Sequence, residues 1–183
     1  PTVPGLDSFA ETMFHSARWD HRHDLSGERV GVIGTGSTAS QIVPEVQKHA
    51  ARLTVFQRSP GWVLPRLDHP HSDLQKLLLR RFPALQRAIR SVIYYSNELL
   101  ILGLVRRPRL LAGLERLALG YLERQVPDAE IRAKLTPGYR IGCKRIIISS
   151  DFLGTFMKPN VDLVTGGIRE IVPDGIVTQD GRK

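Results

Sequence analysis

Arg29-Val30-Gly31-Val32-Ile33-Gly34-Thr35-Gly36-Ser37-Thr38-Ala39-Ser40-Gln41 sets the architecture of this chain. Arg29 to Ile33 is a short apolar run ending in glycine, the pattern of a buried parallel strand. Gln41 to Ala50 then places Ile42, Val43, Val46 and Ala50 at helical spacing. Arg52-Leu53-Thr54-Val55-Phe56 reads as a second strand. Strand, glycine turn, helix and strand within about 30 residues make a βαβ unit.

The turn also has a chemical use. Gly34 permits the tight strand-to-helix turn. Gly36 lets the backbone approach a pyrophosphate where a Cβ would collide, and Ala39 is small enough for close helix–strand packing. The helix start offers free N–H groups and the positive end of its dipole to phosphates. Thr35, Ser37, Thr38 and Gln41 sit on the same turn and join the candidate dinucleotide contacts. The end of the second strand selects the dinucleotide. NAD sites place an acid there for the ribose hydroxyls, but here the residues are Gln57, Arg58 and Ser59. Arg58 lies 22 residues after Gly36, and a guanidinium binds a 2′-phosphate bidentately. The expected cofactor is NADPH, with Ser59 beside Arg58.

Outward from this unit, residues 1–29 read as a connecting segment punctuated by prolines and glycines. Pro60, Pro65 and Pro70 break regular structure after the second strand. A Leu- and Arg-rich stretch over 72–135 is too long for a loop and reads as a helical insertion. Leu74, Leu77, Leu78 and Arg81 begin one helix, and Leu110, Leu111, Leu114, Leu117, Ala118 and Tyr121 give the apolar stripe of another. Thr136-Pro137-Gly138 ends it. Ile146 to Ile148 fits a strand, or the entry to a short helix over Asp151 to Phe156. Val161 to Val164 fits a core strand. Ile168 to Val172, a Pro173-Asp174-Gly175 turn and Ile176 to Thr178 fit a hairpin. Asp180-Gly181 signals one more turn without a strand after it, as expected of a piece of something larger. The expected class is α/β: a Rossmann-like parallel sheet over 30–71 and 136–183 with flanking helices, the insertion, and a C-terminal β-hairpin.

Composition narrows the function. The chain has 183 residues, a net charge of +8 and one cysteine, Cys143, so an intrachain disulfide framework is excluded and a reducing, cytoplasmic compartment fits. No signal-peptide layout or 18-residue apolar run is present. Between Ser72 and Val126 ten basic residues face four acids, so +6 of the +8 lies in one helical segment. That is a solvated basic face or a contact for an acidic partner domain before it is a nucleic-acid site. His15, His21, His23, His69 and His71 lack the spacing of metal ligands, and no metal is expected. Cys143, without a histidine partner, reads as a packing residue. The absence of Cys-x-x-Cys disfavours a disulfide reductase, and no Tyr-x-x-x-Lys supports a short-chain reductase.

Phe9, His15, Trp19 and Asp20 keep three spacings of the Baeyer–Villiger monooxygenase fingerprint, with Glu11 where that family has glycine. Thr54-Val55-Phe56-Gln57-Arg58-Ser59-Pro60 and Tyr139-Arg140-Ile141-Gly142-Cys143-Lys144-Arg145 also resemble that family, and the resemblance covers most of the chain. It implies an FAD- and NADPH-dependent enzyme that oxygenates ketones or heteroatoms through a C4a-peroxyflavin. It implies that Lys144 is a second cation on the 2′-phosphate and Arg145 the catalytic arginine beside the flavin. His15 and Trp19 would organise the inter-domain linker, residues 1–29. The family's earlier, FAD-binding fingerprint is not found here, so the FAD site is expected on a missing domain of the same polypeptide, and the chain alone is expected to be inactive. The alternative is a stand-alone NADP-binding module without chemistry.

Overall fold

A computed structural model describes residues 3–66, 68, 70–106 and 111–183. Arg107, Arg109, Leu110 and His69, which figure in the sequence reading, lie outside the described residues. Contacts divide the chain into two compact units, Pro1–Pro65 with Ala118–Lys183, and Arg66–Leu117.

The first unit holds the βαβ element. Strand β1 (Arg29–Ile33), helix α1 (Ala39–His49) and strand β2 (Arg52–Phe56) follow one another as the glycine spacing predicts. β1 and β2 pair in parallel, Arg29 opposite Arg52 and Ile33 opposite Phe56. After a two-residue strand β3 (Val63–Leu64), the chain leaves for the second unit, where α2 (Asp73–Arg81) and α3 (Pro83–Arg106) lie. Ser72 and Gln75 form a reciprocal capping box at the start of α2. Helices α2 and α3 expose Leu74, Leu77, Val92, Tyr95 and Leu99, each more than 60% accessible.

Helix α4 (Ala112–Gln125) returns the chain to the first unit. Ala118, Tyr121 and Leu122 are buried on one face, and the Tyr121 hydroxyl donates to the carbonyls of Ser149 at 3.2 Å and Ser150 at 3.0 Å. Burial raises the Tyr121 hydroxyl above its ordinary pKa. Helix α5 (Ala129–Leu135) starts at Asp128, whose carboxylate accepts from the Ile131 N–H at 2.9 Å. Strand β4 (Ile147–Ile148), short helix α6 (Phe152–Thr155), strand β5 (Val161–Val164) and a hairpin of β6 (Ile168–Val172) with β7 (Gly175–Thr178) complete the unit.

The main sheet runs β1-β2-β5, all parallel. This corrects the expectation that β1 is a buried strand. β2 holds the centre, with Leu53 and Val55 fully buried, whereas β1 has one strand neighbour among the described residues and Ile33 is 50% exposed. An apolar run shows that a strand is hydrophobic, not how many neighbours it has. The core gathers Leu53 and Val55 from β2, Val43 and Val46 from α1, Leu122 and Val126 from α4 and the residue after it, and Phe152 and Phe156 from α6 and its C-cap. Asn160 ties the back of α1 to the start of β5. Its amide donates to the carbonyls of Gln47 and Ala50, each at 3.0 Å, and its side-chain oxygen accepts from the Gln47 amide at 3.0 Å. A second parallel pair, β3 with β4, matches Val63 to Ile147. The prolines at 60 and 65 had suggested only irregular structure there.

Candidate functional site

The glycine turn joins the exposed C-terminal end of β1 to α1. Gly34 has φ +112°, a conformation that L side chains rarely adopt, and its N–H donates to the Phe56 carbonyl at 2.9 Å. Gly36 is different. Its φ is outside the left-handed region, and a Cβ built there meets nothing within 4 Å. Neither backbone nor packing in this chain requires a glycine at 36. A ligand brought against that backbone would. Ala39 is 7% exposed and packs in the core, so the third position is small for packing.

Helix α1 has no side-chain cap at its N-terminus, unlike α2 and α5. Ser40 and Gln41 instead donate to the Ser37 carbonyl, at 2.9 and 3.1 Å, which fixes the turn without covering its N–H groups. Ser37, Thr38 and Gln41 are exposed. An uncapped helix start with small, exposed hydroxyl residues offers donors to an anion.

Thr35 carries the turn to the neighbouring loop. It is 9% exposed, and its hydroxyl donates to the Ser59 carbonyl at 3.4 Å. The Ser59 hydroxyl accepts from Lys144 Nζ at 2.8 Å. Thr35, Ser59 and Lys144 thus form one chain of contacts, bringing together residues 24 and 85 positions apart. Arg58 is exposed and has no hydrogen-bond or ionic partner among the described residues. Gln57, 3% exposed, anchors the loop from below: its amide donates to the Lys134 carbonyl at 2.7 Å, while Oε1 has no donor among the described residues. With no acid at 57–59, Arg58 next to Ser59 in the chain and Lys144 bonded to the Ser59 hydroxyl, the loop suits a phosphate monoester on the ribose.

Two further residues shape this corner, and the sequence reading did not single them out. Trp62 is 5% exposed and donates from Nε1 to the Tyr139 carbonyl at 2.9 Å. The Tyr139 hydroxyl donates to the Pro60 carbonyl at 2.9 Å, and burial raises its pKa above the ordinary value. Their side chains bridge segments 77 and 79 residues apart, and no local period announces such a pairing. Cys143 is exposed, which corrects its reading as a packing residue. It sits in the turn where Gly142 takes φ +95°, and this turn points residues 142–145 outward. Arg145 is exposed and touches none of the other candidates.

Phe9, His15, Trp19 and Asp20 lie in the segment before β1. Phe9 is half-buried. His15 Nδ1 accepts from the Ala17 N–H at 3.1 Å and starts a short 3-10 turn, Ser16–Arg18. Trp19 packs partly against the core and meets Phe14 edge-to-face at 5.0 Å. Asp20 accepts from the Arg22 N–H at 3.0 Å and Nε at 3.2 Å, and the Arg22 contacts hold its carboxyl below the usual value. These contacts shape the turns of the segment before β1. Among the described residues no cluster of His, Cys, Asp and Glu is arranged for a metal ion, and no helix is long and apolar enough to cross a membrane.

A family model for flavin-binding monooxygenase-like proteins matches residues 1–98, which include the fingerprint segment and the glycine turn. A Baeyer–Villiger monooxygenase of Streptomyces coelicolor is 45% identical over 181 residues, covering 99% of this chain and 35% of its own length. One from Pseudomonas aeruginosa is 41% identical, covering 100% of this chain and 35% of its own length. Among solved structures, oxidized steroid monooxygenase bound to NADP superposes with a TM-score of 0.84 at 27% identity, over 100% of this chain and 42% of that one. A complex of OTEMO with FAD and NADP gives 0.79 at 27% identity, with the same coverage. The chain therefore spans about 35% of the length of the curated relatives it matches. The fold agrees with these matches, and the chain belongs to the flavin-binding monooxygenase-like family.

Proposed function

We propose that this chain is the NADPH-binding domain of an FAD-dependent monooxygenase of the Baeyer–Villiger type, acting on a small ketone or heteroatom substrate. Gly36 carries the reading: a glycine that neither φ nor packing requires, at an uncapped helix start. The backbone of Gly34 to Ala39 would hold the pyrophosphate, with the Thr35, Ser37, Thr38 and Gln41 side chains around it. Arg58 and Lys144 would hold the 2′-phosphate from the two sides of Ser59. Bound NADPH would supply hydride to FAD, and FAD would supply the oxygen chemistry.

The chain's own part is to bind and orient. The phosphate cations fix one end of the dinucleotide, and the helix start fixes the middle. Arg145, exposed and unpaired among the described residues, would be the cation placed where anionic charge develops. In a site closed to water such a cation is worth several kcal/mol, on the order found for other preorganised donors. The proposed partner is an FAD-binding domain of the same polypeptide, consistent with the greater length of the relatives. Phe9, His15, Trp19 and Asp20 would shape the linker toward it. The lone cysteine suits the cytoplasm.

Titration of the chain with NADPH and NADH tests the reading. Arg58→Ala is expected to weaken NADPH by about 1.5–3 kcal/mol, the loss of a charge-assisted hydrogen bond, and to leave NADH nearly unchanged. Equal affinity of the unmodified chain for both dinucleotides refutes the 2′-phosphate site.

A further inference from the structure

Lys144 does not stand free in this structure. Its ammonium lies 4.6 Å from the centroid of the Tyr139 ring, above the ring face. The same nitrogen donates to Ser59 Oγ at 2.8 Å. An ammonium has three N–H donors, and no further partner for it occurs among the described residues. One donor is spent on Ser59, the ring face takes part of the charge, and the remaining donors have no partner among the described residues.

The ring itself is held rigidly. The Tyr139 hydroxyl donates to the Pro60 carbonyl at 2.9 Å, one residue past Ser59. The Tyr139 carbonyl accepts from buried Trp62 Nε1 at 2.9 Å. The left-handed Gly142 turns the chain so that Lys144 comes back over the ring five residues on. Tyr139 therefore closes a small clamp: it fixes the loop that carries Arg58 and Ser59, and it fixes the lysine that faces them. A lysine side chain is otherwise flexible and loses much rotamer freedom when it binds.

We propose that Tyr139 is a positioning residue for NADPH recognition, its ring face holding the Lys144 ammonium in place for the 2′-phosphate. The inference rests on the proposed 2′-phosphate site and adds a residue to it. Tyr139 touches no cofactor atom in this account. It acts through Lys144, by charge–quadrupole attraction and by reducing the freedom lost on binding.

The test compares the ratio of NADPH to NADH affinity, measured by fluorescence titration of the chain, across substitutions at 139. Tyr139→Phe keeps the ring but loses the Pro60 bond, and is expected to lower the ratio less than Tyr139→Leu does. Tyr139→Leu is expected to lower it by about two- to fivefold, the range for an exposed cation–π contact, with NADH affinity unchanged. Because Tyr139→Leu also removes the hydroxyl bond and can disturb folding, a ring-fluorinated phenylalanine at 139 provides the second arm. It keeps the shape and weakens the negative face, so the ratio should fall with fluorination while the melting temperature holds. A ratio indifferent to ring fluorination, or Tyr139→Phe falling as far as Tyr139→Leu, overturns the inference and leaves the 2′-phosphate site standing. An unmodified chain with no preference for NADPH overturns both.

Discussion

Alanine at position 36 meets no atom within 4 Å in the folded chain, and the backbone there is not left-handed. Gly36→Ala should therefore leave stability unchanged or raise it by about 0.4–1 kcal/mol, by restricting the unfolded chain. Gly34→Ala has the same open space but a φ of +112°. An L residue held in such a conformation costs about 1–3 kcal/mol. In a chain of this size each kcal/mol moves the melting temperature by about 2–4 °C, so Gly34→Ala should melt about 2–12 °C earlier. Binding reverses the order of interest. A Cβ at 36 would intrude on the pyrophosphate, and overpacking of this kind costs about 1–3 kcal/mol. That is roughly a 5- to 150-fold loss of NADPH affinity at about 1.4 kcal/mol per tenfold. Circular dichroism melts and NADPH fluorescence titrations on the two variants give both quantities. The reasoning fails if Gly36→Ala binds NADPH as tightly as the unmodified chain, or if it unfolds as early as Gly34→Ala.

Other outcomes follow from the same geometry. Gly5 has φ +78°, and a Cβ there would lie 2.0 Å from the Ile171 carbonyl oxygen; Gly5→Ala should cost at least about 1–3 kcal/mol in urea unfolding, and a neutral result would mean that the segment is not seated on β6. Asp20 is held below its ordinary value of 3.8, chiefly by Arg22. A carboxylate with a depressed folded pKa contributes stability above its unfolded pKa and loses it as pH falls through the folded value, so Asp20→Asn should lower stability slightly at neutral pH and flatten the acid limb below about pH 4, where the two proteins converge.

The local parts of the fold were legible because short-range physics sets them. Glycine spacing placed β1, α1 and β2, and Pro173-Asp174-Gly175 placed the hairpin, since each depends on residues a few positions apart. The stripe over Ala118 and Tyr121 announced a helix but not the core it joins, because an amphipathic period does not name its partner. β1 as an edge and β3 paired to β4 depend on strand neighbours far away in sequence. In the candidate site, Gly36 and Arg58 could be found by spacing. Tyr139 and Trp62 could not: they matter through bonds to Pro60 and between each other that cross about 80 positions. The one available signal was that Tyr139 and Lys144 belong to a single short turn ending in two cations.

Residues 4–10 are tied to the rest of the unit by bonds to β6 and the turn after it. The Pro4 carbonyl accepts from the Ile171 N–H at 2.8 Å, the Ala10 N–H donates to the Pro173 carbonyl at 2.9 Å, and Ser8 Oγ reaches the Ile171 carbonyl at 3.2 Å across 163 positions. Such bonds bring no reward until a very large loop has closed, and the entropy of that closure rises with the logarithm of its length. β1 with β2, and β6 with β7, pair from much nearer neighbours, so this seam is expected to form after both during folding. In hydrogen exchange it should also open as one unit, with the Ile171 and Ala10 amides losing protection at a common rate.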